Sequence, residues 1–226
     1  MGNLYDLLRE DVRFEEALHS CMNCGICTAI CPAAEFYDYD PRKIVDTIQR
    51  RNEDEIEALL RSETIWYCGQ CLSCKTRCPR GNIPAVLIAI LRSVSQRMGY
   101  FVESEKGLQQ FAVSKKVAQT ILDIGYCVHP DTMKYEMHTE QGPVWKWYTE
   151  NIEEIAPRFG ANYHGEGPGA LRSIRKDTME EINKIFEATG GKDLMRKVET
   201  GAKNKTNIRN DEDLFNLVYN RNTSKE

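Results

Sequence analysis

Cys21-Met-Asn-Cys24-Gly-Ile-Cys27-Thr-Ala-Ile-Cys31-Pro32 and Cys68-Gly-Gln-Cys71-Leu-Ser-Cys74-Lys-Thr-Arg-Cys78-Pro79 are two copies of one pattern, C-x2-C-x2-C-x3-C-P. Thiolates at this spacing suit a [4Fe-4S] cubane, because the first three of each run fold around one cluster and the fourth points away to the other. The pattern predicts two [4Fe-4S] clusters with crossed ligand sets: Cys21, Cys24, Cys27 and Cys78 for cluster 1, and Cys68, Cys71, Cys74 and Cys31 for cluster 2. Gly25 and Gly69 are expected to ease the close backbone approach, and Pro32 and Pro79 to end the local helix and turn the chain. Zinc knuckles also use C-x2-C pairs, but they take two cysteines each and would leave the third and fourth of each run without a purpose.

Working outward, eight of the nine cysteines lie between Cys21 and Cys78, and none follows Cys127. With 226 residues, 41% hydrophobic and 28% charged, the composition is that of an ordinary folded chain of one or two domains. The longest apolar run, Ala85 to Leu91, falls far short of the roughly 18 residues of a membrane helix. The acidic N-terminal stretch has no basic and apolar leader, so the cytoplasm is the expected compartment. There, closely spaced cysteines are metal ligands rather than disulfide partners. A net charge of -4 gives no electrostatic reason to bind nucleic acid or anionic lipid.

Apolar periodicity around the motifs is helical, without strand alternation. Asn3 is a candidate N-cap before Leu4, Leu7, Leu8, Phe14 and Leu18. Between the motifs, Asp40-Pro41 is a cap with proline at the first helical position, opening a helix through Ile44, Val45 and Ile48. A short helix follows through Ile56, Leu59 and Leu60. After Cys78, Pro84 opens a helix carrying Val86, Leu87, Ile90, Leu91, Val94 and Met98 until Gly99, and another spans about Ser104 to Ile124, stopped by Gly125. The fold class is therefore mainly α: two clusters set in a small helical bundle over residues 1–125, with a mixed irregular and helical C-terminal extension.

At this point the first half resembles the C subunit of heterodisulfide reductase, within the wider group of α-helical ferredoxins. The resemblance covers roughly residues 10 to 125. Besides both cysteine runs, it rests on Asp40-Pro41-Arg42-Lys43-Ile44, Thr64-Ile65-Trp66-Tyr67-Cys68 and Arg77-Cys78-Pro79-Arg80-Gly81. It implies a non-catalytic electron relay with a flavin-containing A subunit on one side and, on the other, a catalytic B subunit that handles the disulfide. The absence of an adjacent Cys-Cys pair, as in the CCG-type motif of proteins like that catalytic partner, agrees with this division. The longer second half resembles its counterparts in sulfur-oxidising, heterodisulfide reductase-like complexes more than methanogenic ones. Two alternatives stand beside this reading. An iron-sulfur relay of a succinate or glycolate-type oxidoreductase shares the helical cluster domain, although the C-x4-C-x2-C run expected of the succinate type is absent. An iron-sulfur redox sensor would need a recognition surface that the acidic balance does not suggest.

Beyond the core, residues 126–200 divide into two parts. The stretch 126–170 has little helical period and holds Trp145, Trp147, Tyr148 and Tyr163, an aromatic surface for a partner or for the protein's own core. A charged helix is expected from Ala170 to Ala188, carrying Leu171, Ile174, Ile182, Ile185 and Phe186 and stopped by Gly190-Gly191. Gly165-Glu-Gly167-Pro-Gly169-Ala170 mimics a dinucleotide-binding turn but lacks a preceding strand and contains Pro168, so flavin belongs on another subunit. Residues 201–226 read as a polar, mobile tail with a cluster of Leu214, Phe215, Leu217, Val218 and Tyr219. Cys127 reads as a small buried hydrophobe, His19 as a packing residue, and His129, His138 and His164 show no metal spacing. Residues 1–40 hold eight acidic and two basic side chains, while Lys75, Arg77 and Arg80 crowd the second motif, so cluster 2 is expected to have the higher reduction potential.

Overall fold

The computed structural model describes residues 3–133, 135, 141–206, 209–210 and 213–214, and among these it contains helices and turns but no strand. The chain divides into two compact units, Met1–Gln110 with Lys197–Arg209, and Phe111–Arg196 with Asn210–Glu226.

In the first unit, α1 (Leu4–Arg9) is capped twice: Asn3 Oδ1 accepts from Asp6 N at 2.7 Å, and the Glu53 carboxylate accepts from Leu4 N and Tyr5 N at 2.5 and 3.2 Å. These bonds satisfy the N–H groups a helix start leaves unpaired. Asp11 then binds Arg13 and interrupts the helix before α2 (Phe14–Ala17), where Phe14 meets Tyr5 edge-on at 5.6 Å. The first cysteine run contains α3 (Ile26–Ala29), and Pro32 opens rather than ends the next turn, α4 (Ala33–Phe36). Asp40 caps α5 (Pro41–Arg50) by accepting from Arg42 N and Lys43 N, and Asn52 caps α6 (Glu53–Arg61).

The core of this unit is α7 (Pro84–Met98), which packs against α1, α2, α5 and α6. Its buried face is wider than the apolar period predicts: Ala85 and Ile88 are buried along with Leu87, Ile90, Leu91 and Val94, while Val86 is half-buried. Each fully buried aliphatic side chain here contributes about 1.5–3 kcal/mol. Gly99 closes the helix with φ 72°, as expected. The Ser95 hydroxyl donates to Leu60 O at 2.8 Å, tying α7 to α6. A 3-10 turn, Tyr100–Glu103, leads to α8 (Glu105–Ile124), whose first N–H groups are held by the Glu63 carboxylate and Ser104 Oγ.

The second unit is more helical than its sequence suggests, with α9 (Gly142–Glu150), α10 (Ile152–Ile155) and a 3-10 turn at Ala156–Phe159 inside the stretch expected to be irregular. The period is hidden because α9 carries apolar side chains on its solvent side too, with Val144 and Trp147 exposed. Ile152, Ile155, Ala156 and Ala161 form a small core under Tyr148, Tyr163 and Leu171. The glycine-rich loop closes on Asn162, whose Nδ2 donates to Glu166 O and Pro168 O at 2.8 and 3.2 Å, so its glycines serve a local turn. The helix expected from Ala170 starts later: α11 spans Lys176–Ala188 because Leu171 is left-handed (φ 62°) and residues 170–173 hydrogen-bond back to Asn162, His164 and Gly165. His129, buried, and His164 both face Asp131, at 3.5 and 3.1 Å, with the Tyr163 hydroxyl on the same carboxylate. Sequence spacing does not reveal this grouping. Burial lowers the pKa of His129 despite the nearby carboxylate.

Gly190 ends α11, but the chain re-enters α12 (Gly191–Lys205), which runs across position 201 where the polar tail was expected to begin. Within the first unit its Val198 and Ala202 are buried, and Gly201 lies against Gly99, where an added Cβ would stand 3.3 Å from the Gly99 Cα. Leu214 is buried, while Phe215, Leu217, Val218, Tyr219 and His138 lie outside the described residues. Cys127 is exposed, contrary to the expectation of a buried hydrophobe.

Candidate metal centre

The eight motif cysteines are all free thiols and divide around two open cavities. The first cavity is lined by Cys21, Cys24, Cys27 and Cys78, and the second by Cys31, Cys68, Cys71 and Cys74. Each set takes three cysteines from one run and the last from the other. Among the described residues no three His, Cys, Asp or Glu side chains converge on a single-ion site; the thiols instead ring a volume.

The two cavities share walls. Pro41 lines the second and its neighbour Arg42 the first; Pro84 lines the first and its neighbour Ala85 the second. Cys74, from the other set, is close enough to influence Cys27 electrostatically. Burial, with smaller contributions from Cys21 and Cys74, pushes the Cys27 thiol up to about 11, and burial likewise raises Cys74. A thiol that resists ionisation when the site is empty becomes a stable thiolate when a cationic iron takes the proton's place. Cys24 and Cys71 are the exposed members, beside the exposed Met22, Ile26 and Leu72. A hydrogen bond with Ser73, 3.5 Å from Cys71 Sγ, lowers the Cys71 pKa.

The backbone is shaped for close approach at Asn23 and Gly25 in the first run, and at Gln70 and Leu72 in the second, all with positive φ. Gly69 is not among them, and an added Cβ there would meet nothing within 4 Å. The position equivalent to Gly25 is held by Leu72, and Gly69 itself lines the second cavity. Arg80, grouped with the second motif by sequence, lines the first cavity and donates to Ser20 O at 3.3 Å. The cation beside the second set is one that spacing gives no reason to choose, Arg92 of α7, which donates to Ile65 O and Cys68 O, each at 2.7 Å, and stands over Trp66. Burial lowers its pKa, opposed by Cys68 and Tyr39, and as a guanidinium it stays charged.

Tyr39 lines the second cavity, 3% exposed, and Asn82 the first, 2% exposed. The Tyr39 hydroxyl faces the Cys68 and Cys31 thiols without reaching either in full hydrogen-bond geometry, and burial, reinforced by these thiols and above all by Cys68, raises its pKa so that it keeps its proton. Asn82 Oδ1 accepts from His19 N at 2.8 Å, whereas its Nδ2 has no partner. The His19 side chain is exposed and lines neither cavity. Buried donors left unpaired around soft sulfur ligands fit an iron-sulfur cluster, whose sulfur atoms accept hydrogen bonds.

Residues 17–82 match the family described as 4Fe-4S dicluster domain, and that segment contains both cysteine runs. The chain is 31% identical over 189 residues to the C subunit of the ferredoxin:CoB-CoM heterodisulfide reductase of Methanosarcina acetivorans, covering 83% of this chain and 69% of that one. It is 27% identical over 154 residues to the second iron-sulfur C subunit of the CoB--CoM heterodisulfide reductase of Methanocaldococcus jannaschii, covering 66% and 75%. It is 29% identical over 152 residues to the corresponding iron-sulfur C subunit of Methanopyrus kandleri, covering 62% and 78%. The first alignment reaches well past the cysteine core, so the extension does not by itself set this chain apart from its methanogenic relatives. Its mainly helical fold, its dicluster domain and these alignments together mean that the chain belongs to the heterodisulfide reductase C-subunit family.

Proposed function

We propose that the chain is the electron-relay subunit of a heterodisulfide reductase-like complex, carrying single electrons through two [4Fe-4S] clusters that link a flavin-containing A subunit with a catalytic B subunit. The catalytic partner would handle a disulfide or, in the sulfur-oxidising form of such a complex, another sulfur compound. The observation that carries this reading is the four-and-four division of the motif thiols around two cavities. When bound, each cluster supplies a one-electron couple.

The chain's own residues hold, space and insulate these centres. Cys21, Cys24, Cys27 and Cys78 would hold cluster 1, and Cys68, Cys71, Cys74 and Cys31 cluster 2. The shared walls at Pro41/Arg42 and Pro84/Ala85 keep the two centres adjacent, while buried α7 fixes their spacing. Cys24 and Cys71, exposed and rimmed by Met22, Ile26 and Leu72, would present one edge of each centre to a partner. Electron relay requires no proton donor and no bound substrate, so no residue is assigned a catalytic role.

Anaerobic purification with iron and sulfide analysis and an EPR-monitored reductive titration tests the proposal; about eight irons per chain and two interacting signals are expected. Cys78→Ser, though in the second run, should perturb the same signal as Cys21→Ser and leave the one perturbed by Cys68→Ser. Zinc in place of iron, or a Cys78 variant acting on the Cys68 signal, would overturn the crossed assignment. Co-purification with a flavoprotein and with a protein bearing CCG-type motifs tests the partners.

A further inference from the structure

Three buried side-chain polar atoms lack a partner among the described residues: Tyr39 Oη, Asn82 Nδ2 and Trp66 Nε1. The first two line the two cysteine cavities, one in each, while Trp66 lines neither. Leaving a donor buried and unpaired costs about 1–3 kcal/mol, so such groups are retained where an acceptor is expected. In each cavity the remaining lining is cysteine sulfur, backbone, apolar side chain or, in the first, the two arginines and, in the second, Ser73. The acceptor that fits a donor in such surroundings is sulfur.

We infer that Asn82 Nδ2 and the Tyr39 hydroxyl are matched hydrogen-bond donors to the sulfur atoms of the two clusters, and that each sets the reduction potential of the cluster in its own cavity. The inference rests on the cluster reading above. A hydrogen bond to a cluster sulfur withdraws electron density from the iron and favours the reduced state, so removing it lowers the potential. Both are positioning residues, since neither ligates iron. The two sites differ in how the donor is fixed. Asn82 is oriented through Oδ1 by the His19 N–H, and Tyr39 by its ring, which packs edge-on against Tyr67 at 6.2 Å. The Tyr67 ring in turn stacks on Tyr37 at 4.3 Å.

The test uses the full chain purified anaerobically, as wild type, Tyr39→Phe and Asn82→Leu, with iron content and an EPR-monitored potentiometric titration of each. Tyr39→Phe should lower one midpoint by at least a tenfold shift in the oxidised-to-reduced ratio at fixed potential, about 59 mV for a one-electron couple, and leave the other in place. Asn82→Leu should lower the other midpoint. Unmoved midpoints at full iron content, or two variants acting on the same cluster, would overturn the inference. If Tyr39→Phe fails to retain iron, Tyr39→3-fluorotyrosine keeps the ring and makes a stronger donor, so the same midpoint must rise; an unchanged midpoint again overturns it. A wild-type chain without iron-sulfur signals would remove the cluster reading itself, and this is seen before any variant is compared.

Discussion

Asn23 and Gln70 hold the same place in the two cysteine runs and adopt the same backbone, with φ of 57° and 56°, and the N–H of each lies 3.4 Å from Sγ of the cysteine two residues earlier, Cys21 and Cys68. Two residues on, Gly25 and Leu72 are again left-handed, with φ of 77° and 60°. Glycine adopts that conformation freely, whereas an L side chain is penalised by about 1–2 kcal/mol. The second run thus holds strain that the first avoids.

Leu72→Gly should relieve that strain and raise resistance to urea unfolding by about 1 kcal/mol. Because Leu72 is 43% exposed, only part of its packing is lost, but it also lines the second cavity beside Cys71. The variant should therefore lose iron to a chelator faster than wild type while unfolding at higher urea. A variant less stable in urea and unchanged toward chelator would show that the leucine is held for packing.

Arg92→Met removes the half-buried guanidinium that binds two carbonyls, one of them that of Cys68 in the second cysteine set. Losing charge-assisted bonds to Ile65 O and Cys68 O should cost about 2–3 kcal/mol in urea unfolding. The second cluster should also become harder to reduce, since a buried positive charge nearby stabilises the added electron. Arg92→Lys keeps the charge and should recover more of the potential than of the stability, because an ammonium cannot span both carbonyls in the same way.

Asp40 gives a pH dependence. Burial raises its carboxyl, but hydrogen bonds from Thr28 Oγ1 and from Arg42 outweigh that, and its pKa lies below the ordinary value. A depressed pKa contributes stability that is complete above the unfolded value, about 3.9, and is lost as pH falls through the folded one. Asp40→Asn keeps a capping oxygen but loses the charge at the start of α5, so a deficit of about 0.5–1 kcal/mol is expected. The deficit between the two proteins in urea unfolding should be as large at pH 5 as at pH 7. A deficit that fades over that interval would contradict the depressed pKa.

Much of this was legible in sequence where one local rule dominates. Asn3, Asp40-Pro41, Pro84 and Gly99 mark helix ends by capping chemistry that acts within a few residues, and each stands at the end it predicts. The eight cysteines stand out in the sequence because spacing constrains them directly, and four of them line each cavity. Arg80, Arg92, Tyr39 and Asn82 were misplaced or missed because their relation to a cavity depends on where a distant segment returns, as in the bond between His19 N and Asn82. The start of α11 was misread because Leu171 takes a left-handed turn that apolar period does not report. The continuation through α12 was missed because its buried face uses small residues, Gly201 and Ala202, beside Val198.

Glycine provides the sharpest contrast between motif reading and geometry. Gly69 sits inside a cysteine run and lines the second cavity, its φ is not left-handed, and an added Cβ would meet no protein atom within 4 Å. Gly107 belongs to no motif, but a Cβ there would lie 2.4 Å from the Phe101 carbonyl oxygen and 3.2 Å from Trp66 Cε2. The obstructing oxygen is backbone, so it cannot swing aside as a side chain can. Helix propensity alone would favour alanine at position 107 by about 1 kcal/mol, and the overlap must reverse that sign. Gly69→Ala meets no protein atom and should stabilise the iron-free chain slightly, by about 0.4–1 kcal/mol, through the unfolded state. Gly107→Ala should destabilise it by about 1–3 kcal/mol and disturb the packing of Trp66, visible as a change in tryptophan fluorescence. If Gly107→Ala were neutral, the Phe101 carbonyl and the Trp66 ring would have to yield at little cost, and their crowding would not be what requires glycine at 107.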